Sequence, residues 1–296
     1  MSTRSSIKNS SIKKKNTSEL GTSSRVLIYL ILIFLALVFL GPILFVLINS
    51  FKAKFSIADN PFALPLGDMY VGVENYAKGL AVSGTLSAVL WSAVITVLSV
   101  MAIVFFSSMT AYYIARVRTW WTKALYFVFV FSMVVPFQMV MFPSAKIADL
   151  LYLANPLGMA VLYLGFGAGL SVFIFVGFLK TIPTEIEEAA SIDGCSPLQI
   201  YFRVVLPMLK PTMITVGILN TMWIWNDYLL PNLVLGAGSK YRTIPIVLQF
   251  LVGSNGNRDM GAMMAMLVLA IIPIVIFYVL GQKYIIEGVA AGAVKG

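Results

Sequence analysis

The sequence predicts an all-α integral membrane protein with six transmembrane helices, on three observations. Hydrophobic residues make up 59% of the 296-residue chain and charged residues only 11%, with a mean hydropathy of +0.91. Soluble domains carry about a quarter charged residues. Charge-free stretches also recur at about the 20-residue length of a bilayer crossing, and the cations are divided unevenly between the loops on the two sides. These features exclude an ordinary soluble enzyme. The chain has no His and one Cys, which excludes His-based metal sites, proton relays and triads, disulfide frameworks and C-x-x-C metal sites.

Residues 1–25 are rich in Ser, Thr and Lys, with Lys13, Lys14 and Lys15 consecutive, and read as a disordered cytoplasmic tail. That lysine run is either solvated or held near anionic lipid. Residues 26–48 form the first span; the run is longer than the apolar core of a secretory signal, so no cleavage is expected. An extracytoplasmic segment completes the region 26–85, with Pro61, Pro65, Gly67 and Gly72 as turn signals. The core domain, 86–282, holds spans near 86–108, 124–145, 150–179, 211–230 and 260–282. Residues 283–296 are read as a short cytoplasmic C-terminal tail.

Six spans put both termini on one side. With the N-terminus inside, seven of the 21 Lys and Arg lie outside (Lys52, Lys54, Lys78, Lys146, Lys240, Arg242 and Arg258) and the other 14 inside. That bias favours cytoplasmic termini.

The loop over 180–210 is the one substantial inner loop, and it reads as two short helices. Thr184 and Glu187 have the T-x-x-E spacing of a capping box, and Glu185, Glu187 and Glu188 suit a positive helix N-terminus. Asp193-Gly194 signals the C-cap and turn. Ser196, Pro197 and Gln199 signal a second start, followed by apolar Leu198, Tyr201, Phe202 and Val205 at i, i+3, i+4 and i+7. The chain is expected to turn at Leu206-Pro207 and re-enter the membrane at Pro211. The apolar stripe must be covered, either by this protein's own spans or interfacial lipid, or by a partner.

Glu188-Ala189-Ala190, Gly194 after three residues, and Val204-Val205-Leu206-Pro207 after nine more resemble the EAA loop of ABC importer permeases. Val204 in place of Ile is the one departure. Trp225-Asn226-Asp227-Tyr228 with Pro231, and the tail Gly288 to Gly296, resemble the carbohydrate branch of that family, the group of the maltose importer's smaller permease. The resemblance implies the type I importer transmembrane domain, forming half of the path for a sugar or oligosaccharide. It implies as partners a second permease subunit in a heterodimer, two cytoplasmic ATPase subunits and an extracytoplasmic sugar-binding protein, in a bacterial or archaeal plasma membrane. It assigns ATPase coupling to the loop that contains Glu187, Glu188, Ala189, Ala190, Asp193, Gly194, Tyr201, Phe202, Leu206 and Pro207. ATP and Mg belong to the partner subunit, and no cofactor is expected on this chain. The outer segment 236–259 is implied to reach toward the docked binding protein.

Inside the spans, Asp227 is the one acidic residue. It acts either in hydrogen bonding or capping, or on substrate. Asn220, Trp223 and Asn226 follow at i, i+3 and i+6 and form a candidate substrate path with Asp227; the alternatives are helix packing and the interfacial aromatic belt. Gln138, beside Pro136, needs a polar partner. Gly165 and Gly169 have small-xxx-small spacing for close helix packing. The chain has no G-x-x-x-x-G-K-[ST] phosphate loop and no nucleophile elbow, so it is read as a transport subunit without catalysis of its own. An ion-coupled secondary transporter would need buried titratable groups near the midplane, which the sequence barely offers. A membrane scaffold would leave the capped inner loop without a role, a non-sugar solute stays open, and nothing points to nucleic acid.

Overall fold

The computed structural model describes residues 22–81, 84–253 and 259–293. Most of the tail read as disordered lies outside them, as do residues 254–258 of the outer segment. The described chain is almost entirely helical. It divides after Phe45, and the first unit consists of most of α1 (Thr22–Asn49), an apolar helix of 28 residues.

The second unit opens with the segment read as extracytoplasmic. There α2 (Lys54–Asp59) and α3 (Glu74–Ala81) flank a single 3₁₀ turn at Gly67–Met69. Lys52 anchors this segment. It is fully buried, and its ammonium donates to the carbonyls of Asn60 (2.8 Å) and Pro61 (3.1 Å). Asn75 donates to the carbonyls of Ser50 (2.9 Å) and Lys52 (2.8 Å). The charge that sequence reasoning used only to assign a side is thus a structural bolt between loop carbonyls.

The core is the pairing of α4 (Thr85–Arg116) with α7 (Pro156–Leu179). The buried face of α4 carries Ala88, Ser92, Ile95, Ser99, Ile103, Ser107 and Ala111, a run of mostly small residues at helical spacing that lets another helix come close. Gly167 of α7 lies against Ile103, where a Cβ would collide, and Gly169 lies against Phe129 and Ser132 of α5. Gly165 has open space around it. Close approach therefore uses Gly167 and Gly169 on two faces, and the expected Gly165–Gly169 face is not the packed one. α7 lies within the expected stretch 150–179: Asn155 caps it by accepting from the Gly158 amide (2.9 Å), and Pro156 occupies the first turn.

Two proline sites overturn expectations in opposite directions. The span expected at 124–145 is a broken pair, α5 (Trp120–Val134) and α6 (Phe137–Leu150), bent by 106°. Pro136 is extended (ψ 134°) and forces extended backbone on Val135 before it. Gln138, expected inside that span, sits exposed in the first turn of α6. At Leu206-Pro207 the expected turn is absent. After α8 (Glu185–Ile192), the short α9 (Pro197–Ile200) runs through a π segment at Tyr201–Val205 into α10 (Leu206–Asn226), and 197–226 is one continuous helix. Pro207 has no amide to donate and its ring crowds the preceding turn. The wider π turn, closed by the Leu206 amide on the Tyr201 carbonyl, accommodates it.

The remaining elements are α11 (Leu229–Val234), α12 (Ile244–Gly253) and α13 (Met260–Ala293). The last continues as helix through most of the segment read as a tail. Five described helices are long and apolar enough to cross a membrane, and the bent α5–α6 pair makes a sixth if counted as one span.

Candidate functional site

The loop between α7 and α10 is held to the spans by a buried ionic latch. Arg116, the last residue of α4, donates through Nε to Glu187 Oε1 at 2.7 Å, and its Nη2 lies 2.6 Å from the same oxygen. Tyr112, one turn earlier on α4, donates to Glu187 Oε2 at 2.9 Å. Arg116 also reaches the Ile182 carbonyl (3.3 Å). The Arg116 and Glu187 side chains are 17% and 12% exposed, so the pair is shielded from salt and its partners are fixed. This latch explains why the T-x-x-E box does not form. Thr184 has helical backbone and makes no side-chain cap, because Glu187, its expected partner, is drawn to Arg116.

The other sequence signals in the loop are realised. Gly194 has φ +84°, a conformation that costs any residue with a Cβ about 1–2 kcal/mol. Asp193 caps α8. The Ser196–Gln199 capping box is complete, with the Ser196 amide donating to Gln199 Oε1 at 2.8 Å and the Gln199 amide to Ser196 Oγ at 3.4 Å.

The apolar stripe of the second helix divides into two faces. Tyr201 and Val205 are buried, with Ile200 and Leu209, in a cluster that includes Ala111, Phe175, Val176 and Leu179 of the spans. The Tyr201 hydroxyl shares a 2.7 Å hydrogen bond with Ser108 of α4. Leu198 and Phe202 remain exposed, and on α8 so do Ile186 and Ile192, the last at 87%. Glu188 and Ala189 are exposed while Ala190 packs on the cluster. Leu206 packs there too; Pro207 is exposed. Own-span packing therefore takes one face of the loop and leaves an apolar face outward.

The four residues of the expected substrate path separate. Asn220 is buried (5% exposed), donating to Ser171 Oγ (3.1 Å) and the Val216 carbonyl (2.9 Å). It faces Ser171 of α7. Trp223 is 40% exposed and meets Tyr163 of α7 edge-to-face at 5.4 Å. Asp227 terminates α10, accepts from the Tyr163 hydroxyl (2.9 Å), and takes the Leu229 amide (3.0 Å) as α11 begins. Asn226 is exposed and donates to the Met222 carbonyl (2.7 Å). Trp223 and Asp227 thus converge on Tyr163, and the expected shared face from Asn220 to Asn226 does not form. A separate apolar cavity of about 460 Å³ lies between α4, α10 and α13, beside Thr96, Gly217, Thr221, Trp225 and Phe277; none of the four lines it. Sequence reasoning missed Arg116, Tyr112 and Tyr163. Their signal was a polar tip on an otherwise apolar helix face.

Comparison with known proteins decides the family. Residues 104–290, more than half of the chain and including the whole latched loop, match the binding-protein-dependent transport system inner membrane component. The chain belongs to that family. It is similar to the probable starch degradation products transport system permease of Thermoanaerobacterium thermosulfurigenes, 42% identical over 86% of this chain and 91% of the relative. It is also similar to the multiple sugar-binding transport system permease of Streptococcus mutans, 36% identical over the same shares. The permease also shares its fold with a chain of a bacterial ABC transporter that imports the polysaccharide alginate. There the TM-score is 0.75 at 22% identity, covering 90% of this chain and 99% of the other. As a member of this family the permease is a transport component rather than an enzyme.

Proposed function

We propose that the permease forms half of the translocation path of an ATP-driven importer for a sugar or oligosaccharide delivered by an extracytoplasmic binding protein. The observation that carries this reading is the latched loop itself. A helix pair lies beyond the spans, fixed to α4 through Arg116 and Glu187, with Ile192, Leu198 and Phe202 turned outward. In a chain of this family, that face suits a cytoplasmic ATPase subunit. The sugar assignment is supported by the relatives, which are named for starch degradation products and multiple sugars.

In this reading both termini are cytoplasmic, in line with the cation bias, and a second permease completes the path. ATP and Mg are held by two ATPase subunits. Their closure pushes on α8 and α9. Because 197–226 is one helix, the push is passed along α10 without a hinge at Pro207, and through Arg116 to α4. The spans then move largely as rigid bodies between inward- and outward-open states. The exposed Trp223 and Asn226 face the shared path, whereas Asn220 and Asp227 hold α10 against α7.

Co-purification with the neighbouring permease and ATPase subunits, followed by vanadate-sensitive ATPase assay with loaded binding protein, tests this. Stimulation by loaded binding protein is expected. Stable assembly without an ATPase subunit under any condition would overturn it.

A further inference from the structure

A second feature at the same end of the spans borders the latch. The ends of α4 and α7 and the start of α5 line a half-open cavity of about 890 Å³. Four cations line it: Arg116, Arg118, Lys123 and Lys180. Arg116 is committed to Glu187. Arg118 and Lys123 make no ion pair or side-chain hydrogen bond among the described residues, and Lys180 only overlies the Tyr126 ring at 5.7 Å. Glu185 is the one acidic residue on the lining. Arg118, Lys123 and Lys180 are exposed and Glu185 alone offsets them on the lining, so the site is an open cationic concavity that attracts anions.

The groups beside it identify the anion. Trp120 and Trp121, in the first turn of α5, are 75% and 66% exposed, with ring centroids 4.8 Å apart. Tandem exposed Trp at the end of an apolar helix sits at headgroup depth. The positive end of α5 adds to the field there. One turn beyond Lys123 on α5, the exposed Phe127 also lines the cavity. Along the start of α5 the exposed Trp pair, Lys123 and Phe127 follow in that order, so interfacial aromatics, a phosphate-seeking cation and an apolar side chain lie within about two turns, the set of groups a phospholipid meets.

The geometry points to a binding site for the phosphodiester headgroup of an anionic phospholipid, held by Arg118, Lys123 and Lys180 between α4, α5 and α7. The bound lipid ties the start of α5 to Lys180, at the root of the coupling loop. The assignment does not depend on the transported solute or on which leaflet this end occupies.

Native mass spectrometry of the assembled complex tests it, because one spectrum reports both retained lipid and subunit composition. The delipidated complex is given equal phosphatidylglycerol and phosphatidylcholine of matched chains. Preferential retention of phosphatidylglycerol is expected, falling about fivefold for each cation removed in Arg118→Gln and Lys123→Gln. Charge-preserving Arg118→Lys with Lys123→Arg should retain the preference, so a misfolded neutral variant does not decide the matter. Equal retention of both lipids, or a preference untouched by the neutral double variant, overturns the proposal. So does full displacement of phosphatidylglycerol by millimolar inorganic phosphate, which would mark a site for the free anion. Loss of the ATPase subunit from the neutral variant in every lipid would assign these cations to a protein interface and overturn it as well.

Discussion

Removing the Arg116 side chain opens the latched loop, and the cost follows from its contacts. Arg116→Ala deletes two charge-assisted contacts to one Glu187 oxygen, at 2.7 and 2.6 Å, and leaves a carboxylate whose side chain is 12% exposed. Stranding a fully buried charge costs about 3–5 kcal/mol. Here the Tyr112 hydroxyl still donates at 2.9 Å and some solvent reaches the site, so about 2–3 kcal/mol is expected.

Cys195 reports that energy directly. It is the only cysteine in the chain, it is half-buried against the cluster beneath the loop, and its amide donates to the Ala190 carbonyl at 3.0 Å. Its rate of modification by a thiol reagent reads the opening of the loop. Arg116→Ala should accelerate modification about 30- to 150-fold, the rate equivalent of that energy. Adding Glu187→Gln removes the stranded charge and should restore about 1 kcal/mol, so the two substitutions are non-additive. A change under about threefold in Arg116→Ala, or simple additivity in the double variant, would refute the latch.

Gly194→Val places a β-branched residue at φ +84°; membrane insertion should persist while transport per assembled complex falls at least about tenfold, measured as ATP-dependent uptake. Leu198→Asp, on the outward face of the loop (62% exposed), should leave the thermal stability of the isolated permease within about 0.5 kcal/mol but weaken retention of the ATPase subunit on an affinity column about tenfold or more. Asn220→Ala removes two buried hydrogen bonds; it should cost about 1–3 kcal/mol of stability and lower the yield of complex, while the uptake ratio of two sugars per complex stays constant. A changed ratio would return Asn220 to the substrate path.

What was legible in the sequence was whatever local chemistry decides. The lengths of the apolar runs gave the class, Gly194 and the Ser196–Gln199 pair gave the loop turns, and Asp193 gave the end of α8. Proline was ambiguous because its effect depends on what surrounds it. Pro136 breaks its helix, where the extended residue before it is not overruled by packing. Pro207 does not, because a π turn absorbs it and Tyr201, Val205 and Leu209 are held in the cluster around it. The capping box at Thr184 failed for a non-local reason: the partner that takes Glu187 is 71 residues away. Likewise Asn220, Trp223 and Asn226 were grouped by spacing alone. Ser171 and Tyr163 on the facing helix then drew Asn220 and Trp223 to different neighbours, which nothing within α10 encodes, while Asn226 turned back to the Met222 carbonyl.

The central claim is that this permease, with its partners, moves sugar at the expense of ATP. Proteoliposomes holding the permease, its neighbouring permease and the ATPase subunits, with loaded binding protein outside and ATP inside, measure it directly. Uptake of labelled oligosaccharide is expected only when ATP and binding protein are both present, and it should be unaffected by dissipating proton and sodium gradients. Uptake that persists without ATP, or that collapses with an ion gradient, would contradict the account.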